Sequence, residues 1–103
     1  SEDIVDQLKS DRESVIRSLY RDHQASFLQF GRRFDAHDED LLDAFQEGII
    51  AFYEYCMRGK YDPGKSAPKT LIFSMSKYAL FSSLKKQHRN HERESVTMVD
   101  PQH

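Results

Sequence analysis

Residues 38–58 read DEDLLDAFQEGIIAFYEYCMR and carry the clearest helical pattern in the chain. Apolar side chains recur in this stretch every three or four residues, which is the period of one face of an α-helix. Acidic side chains occupy another face, and Gly59 is typical of the residue that follows a helix end. We therefore predict a helix from Asp38 to Arg58 that packs one face into a core. Its predicted core residues are Leu41, Phe45, Ile49, Phe52, Tyr53 and Cys56.

Two helices are predicted before this stretch. A short one covers Asp3 to Lys9, and a long one starts after Ser10, whose side chain we expect to cap it together with Glu13. The long helix should end near Phe34, because Asp35-Ala36-His37-Asp38 interrupts the apolar period and supplies capping residues.

A fourth helix is predicted after a polar loop. Pro63-Gly64 favours a turn and Pro68 suits a first helical turn, so we expect the helix to run from Lys69 to about Asn90. No strand alternation or repeat occurs, and 103 residues give room for one core. The sequence thus predicts an all-α fold, a compact bundle of three long helices plus a short N-terminal helix. In the fourth helix the residues expected to face the core are Leu71, Ile72, Met75 and Ala79.

The net charge of −2 hides two halves of opposite sign. Residues 1–57 carry thirteen acidic and six basic side chains, whereas residues 58–93 carry nine basic and two acidic ones. The basic half suggests a polyanionic partner and the acidic half a basic one. No apolar run approaches the roughly 20 residues of a membrane span, so no membrane insertion is expected. The single cysteine, Cys56, excludes an internal disulfide and suits a reducing compartment, which predicts a cytoplasmic protein.

Two local motifs offer other functions, and the context of each opposes it. The segment from Gly59 to Ser66 fits the phosphate-loop pattern, but a helical stripe precedes it where a buried strand is required. Pro68 also lies where the following helix should already be hydrogen-bonded. His37 and Asp40 have helical spacing, yet a zinc site normally takes at least three ligands, mostly His or Cys. We predict no catalytic residue, no metal site and no cofactor, and nucleotide hydrolysis by the loop ranks third among the candidate functions.

The two charged helices are open to more than one interpretation. The acidic face of the third helix is either an ordinary solvated surface or a docking surface for a basic partner. The fourth helix mixes aromatic and basic side chains on more sides than one core contact can cover. Exposed rings among lysines suit single-stranded nucleic acid, because the rings stack on unpaired bases at about 1–3 kcal/mol per base.

Four short motifs follow one another along the chain. They are an aromatic and basic stretch on the second helix, an acidic helix with a Gln-Glu pair, an aromatic-Asp-Pro loop, and a helix that ends in a basic run. Their residues are Leu19-Tyr20-Arg21-Asp22-His23 with Phe27 and Gly31-Arg32-Arg33; Asp40, Asp43, Gln46 and Glu47; Tyr61-Asp62-Pro63; and Lys69-Thr70-Leu71-Ile72-Phe73 through Leu84-Lys85-Lys86.

This series resembles domain 2 of bacterial RNA polymerase sigma factors, with the extracytoplasmic function group as the closest match. The resemblance covers about residues 3–90 in the family's order and spacing. The family usually has Glu at Leu42, Trp at Leu71, Asn at Tyr78 and Asp at Ser82, so no base preference is carried over. We expect residues 1–93 to form domain 2 and residues 94–103 to begin the linker toward a helix-turn-helix domain that this chain lacks.

The resemblance implies two binding surfaces. In the family, the acidic helix docks on the clamp-helix coiled coil of the polymerase β′ subunit. The loop and last helix open the minus-ten promoter element and capture flipped non-template bases. The polymerase contacts would be Asp40, Asp43, Gln46 and Glu47, or a register shifted by three residues through Glu39-Asp40-Leu41. The DNA contacts would be Lys60, Tyr61, Lys65 and Lys69 from the loop and Phe73, Lys77, Tyr78, Phe81, Lys85 and Lys86 from the helix.

The first expected function is therefore a non-enzymatic transcription initiation factor domain that binds polymerase and melts promoter DNA. The alternative belongs to a different class: a protein–protein interaction module or stand-alone sigma-like regulator without productive DNA contact. An anti-sigma factor is an expected partner in either case.

Overall fold

The structure is a computed structural model, which describes the backbone of residues 3–99 and the side chains of residues 3–89. No strand occurs in this described part. The predicted all-α fold, with three long helices and a short leading one in a compact bundle, is confirmed. The elements are α1 (Ile4–Ser10), α2 (Arg12–Gly31), a 3-10 turn (Arg32–Phe34), α3 (Asp38–Met57) and α4 (Pro68–Val99).

Aspartate side chains cap the first two helices. The backbone N–H of Asp6 donates to Oδ1 of Asp3 at 2.9 Å, and that of Ser14 donates to Oδ1 of Asp11 at 3.3 Å. The predicted Ser10 cap of α2 is wrong, because Ser10 is the last residue of α1 and Asp11 is the cap. A carboxylate serves well at this position, since it accepts the free N–H and also offsets the positive end of the helix dipole.

Left-handed residues end the second and third helices where the sequence predicts a break. Asp35 adopts φ 55 after the 3-10 turn, a conformation that Asp tolerates better than most residues. Gly59 adopts φ 74 just beyond α3, as expected of a glycine that follows a helix end. The chain therefore reverses direction at both points, and α3 lies between α2 and α4 in the sequence and in the fold.

The last helix, α4, is longer than predicted. It begins at Pro68 rather than Lys69 and continues to Val99 rather than ending near Asn90. No glycine or proline occurs after Pro68 until Pro101, so no residue interrupts helix propagation. The expected linker is thus helical as far as Val99, and residues 100–103 lie outside the described residues. None of the described helices has the length and apolar content that crossing a membrane requires.

The core forms where three helices bring their aromatic rings together. Phe45 of α3 stacks on Phe27 of α2 with ring centroids 5.1 Å apart, and Phe73 of α4 meets Phe27 edge-on at 5.4 Å. Such ring pairs contribute about 0.5–1.5 kcal/mol beyond the area they bury. The predicted core residues of α3 are all buried except Tyr53, which is half-buried. In α4 the buried residues are Ile72, Ser76 and Leu80, with Leu71, Met75 and Ala79 half-buried.

The helices α3 and α4 cross at very short range where Gly48 meets Ser76. They run antiparallel, since Asp40 early in α3 is bonded to Gln87 late in α4. A Cβ added to Gly48 would lie 1.8 Å from Oγ and 2.8 Å from Cα of Ser76. Ser76 is fully buried, and its Oγ has no hydrogen-bond partner among the described residues. Only a residue without a side chain fits on α3 at this crossing.

We expect Gly48→Ala to lower the free energy of unfolding by about 1–3 kcal/mol, which is the usual cost of overpacking. The added methyl group meets the backbone of Ser76, and this outweighs the gain in helix propensity of up to about 1 kcal/mol. Urea unfolding followed by circular dichroism measures the change. Gly64→Ala is the control and should stay within about 0.5 kcal/mol of wild type, because Gly64 lies exposed in the loop. Wild-type stability of Gly48→Ala would contradict the close crossing.

Candidate functional site

The outer side of α3 forms an acidic surface, defined by the exposed residues Glu39, Asp43, Glu47 and Glu54. Asp43 and Glu47 are separated by one helical turn, so they lie on the same strip of the helix. The first turn of α3 is wholly acidic, and its carboxylates stabilise the helix N-terminus. The surface can bind a cationic partner without distorting the fold, because none of these side chains is buried.

The structure distributes the four predicted polymerase-binding residues over this surface and its two edges. Asp43 is exposed on the outer side of α3, and Glu47 is exposed toward α4, where it lines a groove with Tyr78 and Lys86. Gln46 lies on the α2 edge, in a groove that it shares with Tyr20. Asp40 lies on the α4 edge, is half-buried, and accepts a hydrogen bond from Nε2 of Gln87 at 3.3 Å. The sequence therefore places all four residues on one helix, whereas the edge that each one occupies becomes apparent only from the packing.

Ile50 is a strongly exposed apolar side chain that lies among the residues of the acidic surface, and its exposed fraction is 47%. It lies one helical turn from both Gln46 and Glu54, so carboxylate and amide groups surround it. Sequence reasoning missed this residue. The sequence could have predicted its exposure, since Ile50 falls outside the apolar period that buries its neighbour Ile49.

On the opposite side of the bundle, α2 and α4 form an aromatic–basic surface, defined by Phe30, Arg33, Phe34, Lys69, Phe73, Lys77 and Phe81. A shallow pocket of about 310 Å³ opens in it beside the contacting rings of Phe30 and Phe73, with Lys69 and Lys77 at its walls. Nζ of Lys69 lies 5.4 Å from the centroid of the Phe73 ring, which is the range of a cation–π contact. Flat apolar walls and ammonium groups thus occur in one recess.

A continuous row of rings extends this surface beyond the pocket. Phe30 contacts Phe73 at 5.6 Å and Phe34 at 5.4 Å, and Phe34 meets Phe81 edge-on at 5.1 Å between ring centroids. The guanidinium of Arg33 lies 5.0 Å from the centroid of the Phe30 ring. The sequence did not assign Phe30 and Phe34 to this surface, because their helical spacing continues the core stripe of α2. Phe81 is 46% exposed, so the row ends in solvent.

The loop between α3 and α4 is held closed by Tyr61. Its hydroxyl donates to the backbone carbonyl of Ser66 at 2.9 Å, and its ring meets Phe52 edge-on at 5.3 Å. Burial raises the pKa of Tyr61 above its ordinary value, so the hydroxyl keeps its proton at neutral pH. Tyr61 therefore positions the loop, and the exposed charged side chains that the loop presents are Lys60, Asp62 and Lys65. A helix leads into this loop where a nucleotide-binding phosphate loop requires a strand.

The ten predicted DNA contacts do not form one patch. The residues brought together are Lys69, Phe73, Lys77 and Phe81 on the side of α4 that meets α2. Tyr78 is 76% exposed and lies with Lys86 in a groove on the side of α4 that meets α3. Lys85 is exposed beyond the last buried turn. The remaining three, Lys60, Tyr61 and Lys65, lie in the loop.

Cys56 and His37 are the side chains that bear on a catalytic or metal-binding role. Cys56 is buried, and its burial raises the pKa of the thiol to about 11, so the side chain is protonated and a weak nucleophile at neutral pH. His37 is exposed at the N-cap of α3. Among the described side chains of residues 3–89, no three His, Cys, Asp or Glu residues are grouped so that they could hold a metal ion.

No protein-family model matches the chain, and neither the curated proteins nor the solved structures include a match to it.

Proposed function

We propose that this chain is domain 2 of an RNA polymerase sigma factor, which binds the core polymerase through the acidic surface and melts the minus-ten promoter element through the aromatic–basic surface. The observation that carries the proposal is the separation of the two surfaces by α3. Glu47 points outward from α3, whereas Phe45, two residues earlier, lies beneath Phe73 in the core. One small domain thereby has separate surfaces for a cationic partner and for a polyanionic partner.

The aromatic–basic surface supports binding of an unpaired strand. Bases that leave a duplex lose a few kcal/mol of stacking and pairing, which stacking on protein rings must offset. Phe30 and Phe73 frame a recess of a kind that suits a base, and Lys69 and Lys77 lie beside it for phosphates. Contacts of this type make binding strongly dependent on salt concentration. The loop lysines, Lys60 and Lys65, add basic side chains next to the N-terminal end of α4.

The acidic surface supports binding of a basic protein helix. Exposed carboxylates on a rigid helix steer a cationic partner and fix its register, which contributes more to specificity than to affinity. Asp43 and Glu47 have the exposure and spacing that such contacts need. Under this proposal the partner is the clamp-helix coiled coil of the β′ subunit, the protein acts in the cytoplasm, and its action is binding rather than catalysis.

A titration against a purified β′ clamp-helix fragment tests the proposal. We expect saturable binding by wild type and a loss of affinity of about tenfold or more in Glu47→Lys, because a contact charge is reversed. Asp22→Lys is the matched control, since it makes the same charge change at an exposed position of α2. If Glu47→Lys bound with the affinity of wild type, the contact would have to lie on another surface. Failure of the folded wild-type domain to bind would refute the polymerase assignment.

A second candidate function is a protein–protein interaction module, such as a sigma-like regulator held by an anti-sigma partner. The exposed Ile50 within the acidic surface supports a protein partner of either kind, because protein interfaces combine an apolar centre with a polar rim. This candidate predicts no binding of single-stranded DNA. A DNA titration therefore separates the two functions.

A further inference from the structure

We infer that the groove between α2 and α3 receives an apolar side chain from a basic helix of the protein partner, and that Ile50 is the residue this side chain contacts. This inference rests on the proposed function and deepens it, since it names the apolar contact at the polymerase-binding surface. The groove has a volume of about 430 Å³. Its floor is apolar, made of Ile16, Tyr20, Ile49 and Ile50, and its rim includes Glu13 and Gln46.

The groove is an apolar recess at the surface rather than a continuation of the core. Ile49 is fully buried, yet Ile50 beside it is 47% exposed, and Ile16 and Tyr20 are half-buried. Single exposed apolar residues are ordinary, but the exposed Ile50 continues into the half-buried Ile16 and Tyr20, so the apolar recess is shared by two helices. Its volume lies within the range of about 300–1,000 Å³ found for ligand pockets, so a partner side chain has room to enter.

The floor of the groove is rigid before any partner arrives. The ring of Tyr20 packs on Phe45 with centroids 5.4 Å apart, and Phe45 is fully buried among the rings of the core. A preformed site costs less conformational entropy on binding than one that must be ordered. The partner's side chain therefore meets a surface that is already in its bound shape.

The charges around the groove select a basic partner. Asp43 and Glu54 are exposed on the same side of α3 as Ile50, and Glu13 adds a carboxylate on the α2 rim. Arg17 is the basic side chain in the lining. An acidic helix would be repelled by this arrangement, whereas lysines or arginines that flank one apolar residue would pair with it. A helix that inserts an apolar side chain into a groove between two helices is a common recognition mode.

The two kinds of contact have separate kinetic roles. The carboxylates act at long range and set the rate of association, and the groove acts only after docking and sets the rate of dissociation. An apolar residue at the centre of an interface contributes strongly, because the polar rim around it excludes water. Removal of the apolar contact should thus weaken binding without altering its salt dependence.

The test measures the dissociation constant of the full chain for the β′ clamp-helix fragment at several salt concentrations. We expect Ile50→Ala to weaken binding by about tenfold or more, mostly through faster dissociation, with the salt dependence of wild type. Ile4→Ala is the matched control, because it makes the same chemical change at a half-buried position on α1. Its affinity should remain within about twofold of wild type. Circular dichroism confirms that both variants are folded.

The possible results separate the two proposals. An affinity of Ile50→Ala within about twofold of wild type would overturn the groove contact and leave the proposed function standing. Weaker binding by Ile50→Ala with a salt dependence different from that of wild type would assign the effect to displaced charges. This result would overturn the groove contact as well. No binding by the folded wild-type chain would overturn the proposed function and, with it, the groove contact.

Discussion

Phe45→Ala is expected to lower the free energy of unfolding by about 3–5 kcal/mol, the usual cost of removing a buried phenylalanine. Phe45 is fully buried, stacks on Phe27 at 5.1 Å between ring centroids, and lies 5.4 Å from Tyr20 and 6.4 Å from Phe73. Its loss opens a cavity where α2, α3 and α4 meet. Since single domains are stable by only about 5–15 kcal/mol, the variant loses a large share of its stability.

Chemical unfolding followed by circular dichroism measures this loss. Tyr78→Ala is the control, because Tyr78 is 76% exposed and its truncation opens no cavity. We expect the control to stay within about 0.5 kcal/mol of wild type. If both variants lost the same stability, the three-helix contact at Phe45 would not be the centre of the core.

Lys69→Glu combined with Lys77→Glu is expected to weaken binding of single-stranded DNA by about 30-fold or more at low salt. Both side chains line the pocket between Phe30 and Phe73, so two phosphate contacts are replaced by repulsion. The slope of log K against log salt should become shallower by about 0.7 for each contact removed. Fluorescence anisotropy of a labelled strand at several salt concentrations measures both quantities.

The matched control for this variant is Lys9→Glu combined with Arg21→Glu, which changes the net charge equally at exposed positions of α1 and α2. At about 0.15 M salt its effect should be no more than about threefold, because charges farther away than the Debye length of about 8 Å are then screened. Equal weakening in both pairs would attribute binding to net charge and would contradict a specific surface. A duplex of the same sequence tests the role of the rings, since paired bases cannot stack on Phe73.

The fold could be predicted because one helix is unambiguous. The apolar period of α3 determines which residues enter the core, and Gly59 and Asp35 supply conformations that end a helix. The ends of the helices were harder to predict than their positions. Asp11 displaced Ser10 as a cap because adjacent residues compete for one position, and α4 ran past Asn90 because polar composition does not by itself stop a helix.

The candidate site could be predicted only in part, since surfaces depend on which helices meet. Asp43 and Glu47 could be placed together as exposed residues from the sequence, because one helix carries both one turn apart. The pairing of Phe30 with Phe73 joins residues from α2 and α4, and no local pattern encodes it. The hydroxyl contact of Tyr61 and the crossing at Gly48 likewise arise from tertiary contacts and are invisible to periodicity.

The position of α3 between the two surfaces has a mechanical consequence. Phe45 supports one surface and Glu47 belongs to the other, so a single turn of rigid helix connects them. No loop intervenes, so under the proposed function packed helices rather than a hinge set the distance between the two bound partners. The domain would then act as a stiff spacer, and any force that one partner applies to α3 reaches the other without loss to a hinge.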